Sequence, residues 1–425
     1  MKTIENNSTM KTEKKDLPVS YRNVMVLSHF CKHNMIFETY CNGIKANSSN
    51  YYFVDYRDLY VQAGKKKFEE KIEALVVENG VNYIFFVLWS GDLTFDIHFA
   101  ERLSKMAFIV MNFFDTEYYF EPVDRYYAQI ADLVLLPDYL SKYRYELLNI
   151  NVMSTFSLFS KHNYSRSSDS ERNIDVSFVG SLIYKNRKEY IDCLIENKVK
   201  VEPYGDLTVN GFVSFDKMID IFRKSKINLN FTGIDSDRGL FPLNINNRIK
   251  ASRGRPIEVA LCGGFVLSEY APGIENMFEI GKEIDVFHTK RELLDKIGYY
   301  LANEKEREEI ARRGYERAVK NYDAETAFAN IFGDLHRYKK IDSNVYLDKC
   351  FIRNYATFRI WNMCLCLFEK RYKNFLEELC IFLKYRKIEY RAAWKCFRYM
   401  ASVYLSKHEK MKNILKKILF TSKDA

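Results

Sequence analysis

Arg253-Gly254-Arg255-Pro256-Ile257-Glu258-Val259-Ala260-Leu261-Cys262-Gly263-Gly264-Phe265-Val266-Leu267-Ser268-Glu269-Tyr270 reads as a short helix that feeds an apolar strand. Two arginines lead into a segment with the single acidic residue Glu258; the segment stops at the Gly263-Gly264 pair and turns into Phe265-Val266-Leu267. The first turn of a helix presents unpaired N–H groups and a partial positive charge, so Arg253 and Arg255 placed there form an anion site suited to a diphosphate. Glu258, one turn in, is positioned to accept hydrogen bonds from a pair of sugar hydroxyls. The same spacing also fits a surface helix with solvated arginines and a glycine C-cap, and the residues alone leave both readings open.

Outward from this stretch, apolar strands alternate with helical segments. Asn23 to Ser28, Tyr51 to Asp55, Tyr83 to Trp89, Ala107 to Phe113 and Leu133 to Leu136 read as buried strands, with a helix at Lys65 to Asn79. A polar, Ser-rich stretch, Ser160 to Ser170, reads as a linker. A second alternation follows: strand Val176 to Val179, helix Arg187 to Asn197, strand Val199 to Tyr204, helix Asp216 to Lys224 and strand Ile227 to Phe231, then the Arg253 helix, strands Phe265 to Ser268 and Ile284 to Phe287, and paired helices. Strands and helices at this spacing predict parallel, doubly wound sheets, hence an α/β fold of two Rossmann-like domains facing a cleft. The expected division is a polar leader at 1–20, an N-terminal α/β domain at 21–160, a linker at 161–173, a C-terminal α/β domain at 174–338 and a basic helical tail at 339–425.

The 425 residues are 47% hydrophobic, enough for two or three buried cores and too apolar for a disordered chain. No run approaches the ~18 apolar residues of a membrane span, and the Lys-bearing leader lacks the apolar stretch of a signal peptide, so the expected location is cytoplasmic. Nine cysteines without a CxxC pair or His/Cys ligand spacing read as reduced thiols. Net charge is +9, yet residues 341–425 alone carry 18 Lys/Arg against 8 Asp/Glu, interleaved with aromatics such as Phe351, Tyr355 and Phe358. That tail fits a helical appendage packed on the body, or peripheral attachment to an anionic membrane surface. It carries no nucleic-acid motif, and no nucleic-acid partner is expected.

Residues 174 to 335 resemble the C-terminal domain of group 1 glycosyltransferases, most closely the branch that includes the spore maturation protein CgeB. The matching text is Gly254-Arg255 before Glu258, the Cys262-Gly263-Gly264 turn, Ser268-Glu269-Tyr270, Pro272-Gly273-Ile274-Glu275 and Gly281-Lys282-Glu283-Ile284; Asp175 to Ser181, Asn186-Arg187 and Ser225 to Phe231 match upstream. The resemblance implies the two-domain GT-B architecture, transfer of a sugar from a nucleotide-sugar donor to a glycan, lipid-linked or protein acceptor, and no metal or other cofactor. The chain departs from the wider group at Lys250, where many retaining members carry a first Glu eight positions before the second. That departure supports the alternative of a non-catalytic sugar-nucleotide or glycan-binding protein on a degenerate scaffold.

Ligands of open α/β sheets lie beyond the carboxyl ends of the strands, so the loops there supply the candidates. For the donor these are Gly180, Ser181, Lys185, Arg187, Gly205, Arg253, Arg255, Glu258, Gly263 and Gly264. The resemblance assigns Lys185, Arg187 and Arg255 to phosphate and Glu258 to ribose, and Gly205 is expected to leave room for the base. For catalysis the candidates are His29 as a general base near neutral pH and Asp115, which orients or deprotonates a hydroxyl. Asp235-Ser236-Asp237 has the DxD pattern of a metal-bound diphosphate site, but inside a loop of an α/β domain it reads as a short Asp/Ser turn.

Overall fold

The computed structural model describes residues 22–29, 35–88, 90–156, 159–164, 166, 171–183, 185–233, 250–342, 344–385, 394 and 398. The DxD triplet and most of the chain beyond 385 lie outside them. Eleven strands are described: β1 (Asn23–Ser28), β2 (Asn50–Asp55), β3 (Tyr83–Val87), β4 (Phe108–Asn112), β5 (Leu133–Leu136), β6 (Val152–Ser154), β7 (Ile174–Val179), β8 (Val201–Tyr204), β9 (Ser225–Asn230), β10 (Val266–Glu269) and β11 (Asp285–Phe287). They form two sheets, in the orders β2-β1-β3-β4-β5-β6 and β11-β10-β9-β7-β8. Every pairing is parallel.

Both sheets share one winding. The chain starts at an inner strand, steps to one edge, then returns and continues the other way, so order reverses between β1 and β3 and again between β7 and β9. At such a reversal the connections leave to opposite faces and open a crevice at the carboxyl ends. The doubly wound expectation therefore holds in both halves, and it fixes where a ligand can sit. Central strands such as Val24-Met25-Val26-Leu27 and Leu133 to Leu136 are fully buried, as a sheet covered by helices on both faces requires. Polar caps set helix starts: Asp55 accepts from the Asp58 amide, Asp96 from His98 and Ser214 from Lys217.

Three findings bear on the sequence expectations. First, the C-terminal unit does not run to residue 338. After Tyr322 the chain returns to the first unit: Phe159 and Asp323 pair as a parallel bridge, and the Ala324 amide donates to the Phe159 carbonyl at 2.7 Å. Helix Ala324–Asp334 then buries Phe328, Ile331 and Phe332 with Val24, Val26 and Phe85 of the first sheet. Second, the tail as far as residue 385 contributes to the first core, in line with the appendage reading. Helices Lys349–Phe368 and Tyr372–Tyr385 pack on that unit, and Phe351, Tyr355, Phe358 and Ile381 join its apolar cluster. Phe351, Tyr355 and Phe358, which belong to the face read as suited to a membrane, are thereby buried. No helix among the described residues is long and apolar enough to cross a membrane. Third, Cys41 is disulfide-bonded, with a partner outside the described residues, whereas Cys193, Cys262, Cys350, Cys364, Cys366 and Cys380 are free. Motif spacing could not reveal a bond made only when the fold brings two cysteines together.

The stretch read as a linker is anchored at Tyr164. Tyr164 is buried edge-on between Phe159 and Phe215, and its hydroxyl donates to Glu258 Oε1 at 2.8 Å. Phe159 lies so close to the start of the Arg255–Leu261 helix that a Cβ on Gly254 would stand 2.4 Å from its ring.

Candidate active site

The carboxyl ends of β3 and β4 meet the start of the Arg255–Leu261 helix, and four side chains come together there. Asp115 follows β4, and its Oδ2 accepts from Ser90 Oγ, in the loop after β3, at 3.0 Å. Arg253 reaches across from the second unit: one guanidinium nitrogen lies 3.4 Å from Asp115 Oδ1 and another 2.7 Å from Glu117 Oε1. Glu117 belongs to the one-turn helix Thr116–Tyr119 and its side chain is 3% exposed, whereas Arg253 is 39% exposed. Burial pushes the Glu117 carboxyl up to about 7, partly offset by Arg253 and reinforced by Asp115 and Asp138. A second buried carboxyl, Asp124, lies beneath; burial raises it to about 7 despite a hydrogen bond from Thr116. Ser90, Asp92, Asn112 and Asp124 line a narrow pocket at these strand ends.

His29 stands apart from this group. Its Nδ1 lies 2.9 Å from Asp55 Oδ1, an oxygen that also caps the helix Tyr56–Ala63. β3 separates β1 from β4, so the two strand ends lie about 10 Å apart. The fold thus does not bring His29 and Asp115 together as one acid–base pair. His29, Asp55 and Asp58 are a group whose ligand atoms fall within 4.8 Å of one another, but the direct His–Asp hydrogen bond and the capping bond already account for the geometry.

On the second unit, the predicted donor residues fall into two sets. Gly180 and Ser181 follow β7 at the reversal point; the Gly180 amide donates to Tyr204 O at 2.8 Å, and Arg187 turns back to donate to the Ser181 carbonyl at 3.3 Å. Lys185 begins the helix Lys185–Glu196. Gly205 has φ +124°, and a Cβ there would stand 2.3 Å from the Gly180 carbonyl oxygen, so the residue admits contact between two loops. That is a backbone reason for Gly205, in place of the expected room for a base.

Other positions are committed elsewhere. Arg255 turns from the cleft mouth toward the helix Phe215–Lys224: it pairs with Glu258 Oε2 at 2.8 Å, donates to Met218 Sδ at 3.0 Å and lies over the Phe222 ring. Glu258 is buried, held by Arg255 and by Tyr164. Gly263, at φ +73°, and Gly264 lie at the amino end of β10, opposite the cleft, and a Cβ on Gly264 would press on Asn228 and Val259 at 2.8 Å. They end the helix and let it pack on the sheet, which corrects their assignment to the donor. Lys250, standing where the first Glu was expected, pairs at 2.9 Å with buried Glu269, whose other oxygen accepts from the Thr232 and Gly233 amides. Sequence reasoning missed Glu117 as a partner of Arg253, because 136 residues separate the two.

Residues 167–333 match the family model described as glycosyl transferase-like. Among solved structures, the chain is similar to Anabaena HepE in complex with UDP (13% identity, 74% of this chain and 100% of that chain covered, TM-score 0.52). The same protein in complex with UDP-glucose gives the same values. A glycosyltransferase from Rickettsia africae is 9% identical over 75% of this chain and 98% of that one, with a TM-score of 0.51. A comparison with curated proteins finds none that matches. At these identities the likeness carries the architecture: two parallel-sheet α/β units in the GT-B arrangement.

Proposed function

We propose that the chain transfers a sugar from a nucleotide-sugar donor to a hydroxyl of a glycan, lipid-linked or protein acceptor, within the CgeB-like branch of the glycosyltransferases. The observation that carries this reading is Arg253, which stands at the helix start of the family-matched half and touches Asp115 at the carboxyl edge of the other sheet. Solved neighbours of the same fold hold UDP or UDP-glucose. In the reaction, the bond from the anomeric carbon to the diphosphate oxygen breaks and one to the acceptor oxygen forms. Asp115 takes the acceptor proton, and Arg253 neutralises charge on the departing diphosphate. Arg187 and the loop at Gly180-Ser181 flank the same crevice. Catalysis then rests on positioning and fixed cations, without a required metal. Mass spectrometry of products from a panel of nucleotide sugars tests the proposal; donor binding without transfer or hydrolysis would favour the binding-protein reading.

Three expected results follow from the site. Arg253→Ala should weaken nucleoside diphosphate binding by about 1.5–3 kcal/mol, the range of a charge-assisted hydrogen bond, as read by calorimetry. Arg255→Ala should act chiefly on folding stability, because it leaves Glu258 without its cation. Equal losses of affinity in both variants would return Arg255 to the phosphate. Turnover should also persist in EDTA, and a metal requirement removed by Asp235→Asn or Asp237→Asn would instead assign the DxD triplet to donor binding.

A further inference from the structure

We propose that Glu117 is a positioning residue that competes with the donor for Arg253: in the empty cleft Glu117 and Asp115 hold the guanidinium, and a nucleoside diphosphate draws it away, freeing Asp115 for the acceptor hydroxyl. This rests on the reading of the cleft as a nucleotide-sugar site. The geometry supplies the competition. Arg253 bridges from the second unit: among the described residues it meets two carboxylates of the first unit, at 2.7 and 3.4 Å, and lies over the Tyr118 ring. A guanidinium presents its donors in a fixed planar fork, so one that faces two carboxylates must give up at least part of that pairing to face a diphosphate.

Glu117 is the stronger of the two holders. It makes the shorter contact from a buried position, while Asp115 is 37% exposed and already accepts from Ser90. Among the described residues, the charged groups that act on Glu117 are Arg253 from the second unit, Asp115 on its own loop and Asp138 after β5, and Asp124 of the following turn also senses it. Apart from Arg253 these are all acidic. When Arg253 leaves, the carboxylates lose their cation, and the Glu117 carboxyl, raised toward 7 with Arg253 present, rises further and takes up a proton. Donor binding is therefore linked to proton uptake and strengthens as pH falls toward about 7, levelling off below it, where the carboxyl is already protonated in the empty site. The consequence is order: Asp115 gains its catalytic freedom only once the diphosphate has arrived.

Glu117→Gln tests this. Calorimetry of the full-length protein with UDP, GDP, ADP, CDP and dTDP first identifies a nucleotide that the unmodified protein binds; if none binds, the nucleotide-sugar reading itself fails, and this inference with it. For a bound nucleotide, Glu117→Gln should bind about 3–10-fold tighter at pH 8, since it keeps the shape but removes the competing charge. Because the nucleotide's own titration is common to both proteins, the ratio of their affinities should shrink between pH 8 and pH 6. A residue that only supports the fold would weaken binding when replaced. Unchanged or weaker binding by a folded Glu117→Gln would overturn the competition while leaving the nucleotide reading in place. If that variant does not fold, Asp115→Asn reads the same competition through the longer contact: tighter binding supports it, and unchanged or weaker binding refutes it.

Discussion

Glu378→Ala is expected to cost the fold about 3–5 kcal/mol, the range for breaking a buried ion pair from one side. Glu378 and Arg359 are 1% and 0% exposed and lie 3.2 Å apart between the two C-terminal helices. Tyr60 donates to Glu378 Oε1 at 2.6 Å and Asn362 at 3.3 Å, while Arg359 donates to the Leu93 carbonyl and lies over the Tyr355 ring. The network therefore joins the loop after β3, the helix Tyr56–Ala63 and the tail. Truncating Glu378 leaves a guanidinium in an apolar setting with most of its charge uncompensated. Urea unfolding would read the loss as a lower midpoint. The double substitution Arg359→Met with Glu378→Leu should recover most of it, because an apolar pair of similar volume avoids the desolvation cost. A Glu378→Ala midpoint within about 1 kcal/mol of the unmodified protein would show that water reaches this pair.

The same network shows why the residues alone left two readings of the tail open. Cations spaced among aromatics look like an amphipathic surface when the helix is taken alone, and nothing within the Lys349–Phe368 helix marks Arg359 as internal. Its carboxylate lies 19 residues on, in the next helix, and its hydroxyl partner Tyr60 lies 299 residues back. Period and punctuation did locate the strands: Leu133 to Leu136 and Asn23 to Ser28 have the expected bounds, and both domains wind as predicted. The three-residue β6 is too short to show a period, and helix Met35–Ala46, with Gly43 and Asn42 in its middle, lacks a clean apolar stripe. Gly43 is there because Phe328 and Ala324 press on it; a Cβ would stand 2.6 Å from the Phe328 ring. Of the candidate site, Asp115 and Arg253 could be named from loop position and from resemblance. That they meet each other, and that Glu117 lies between them and the buried acids, depends on how the two sheets face.

Asp115→Asn is expected to lower kcat by about 10²–10⁴, the usual contribution of a positioned general base. The asparagine keeps a hydrogen bond from Ser90, which approaches Oδ2 at 3.0 Å, and so retains the local loop, but it cannot accept the acceptor's proton. Loss should therefore fall on the chemical step. Affinity for the nucleotide should rise, since the substitution also removes one of the two carboxylates that hold Arg253. This split separates Asp115 from a residue that merely supports the cleft, whose replacement would raise KM and lower stability together. His29→Ala provides the contrast. Its ring is tied to Asp55 and lies two strands away from Asp115, so its replacement should cost less in kcat than Asp115→Asn. If His29→Ala abolished turnover while Asp115→Asn left kcat within about threefold, the proton would leave through the His29–Asp55 pair, and the acceptor would have to bind over β1 rather than at the ends of β3 and β4.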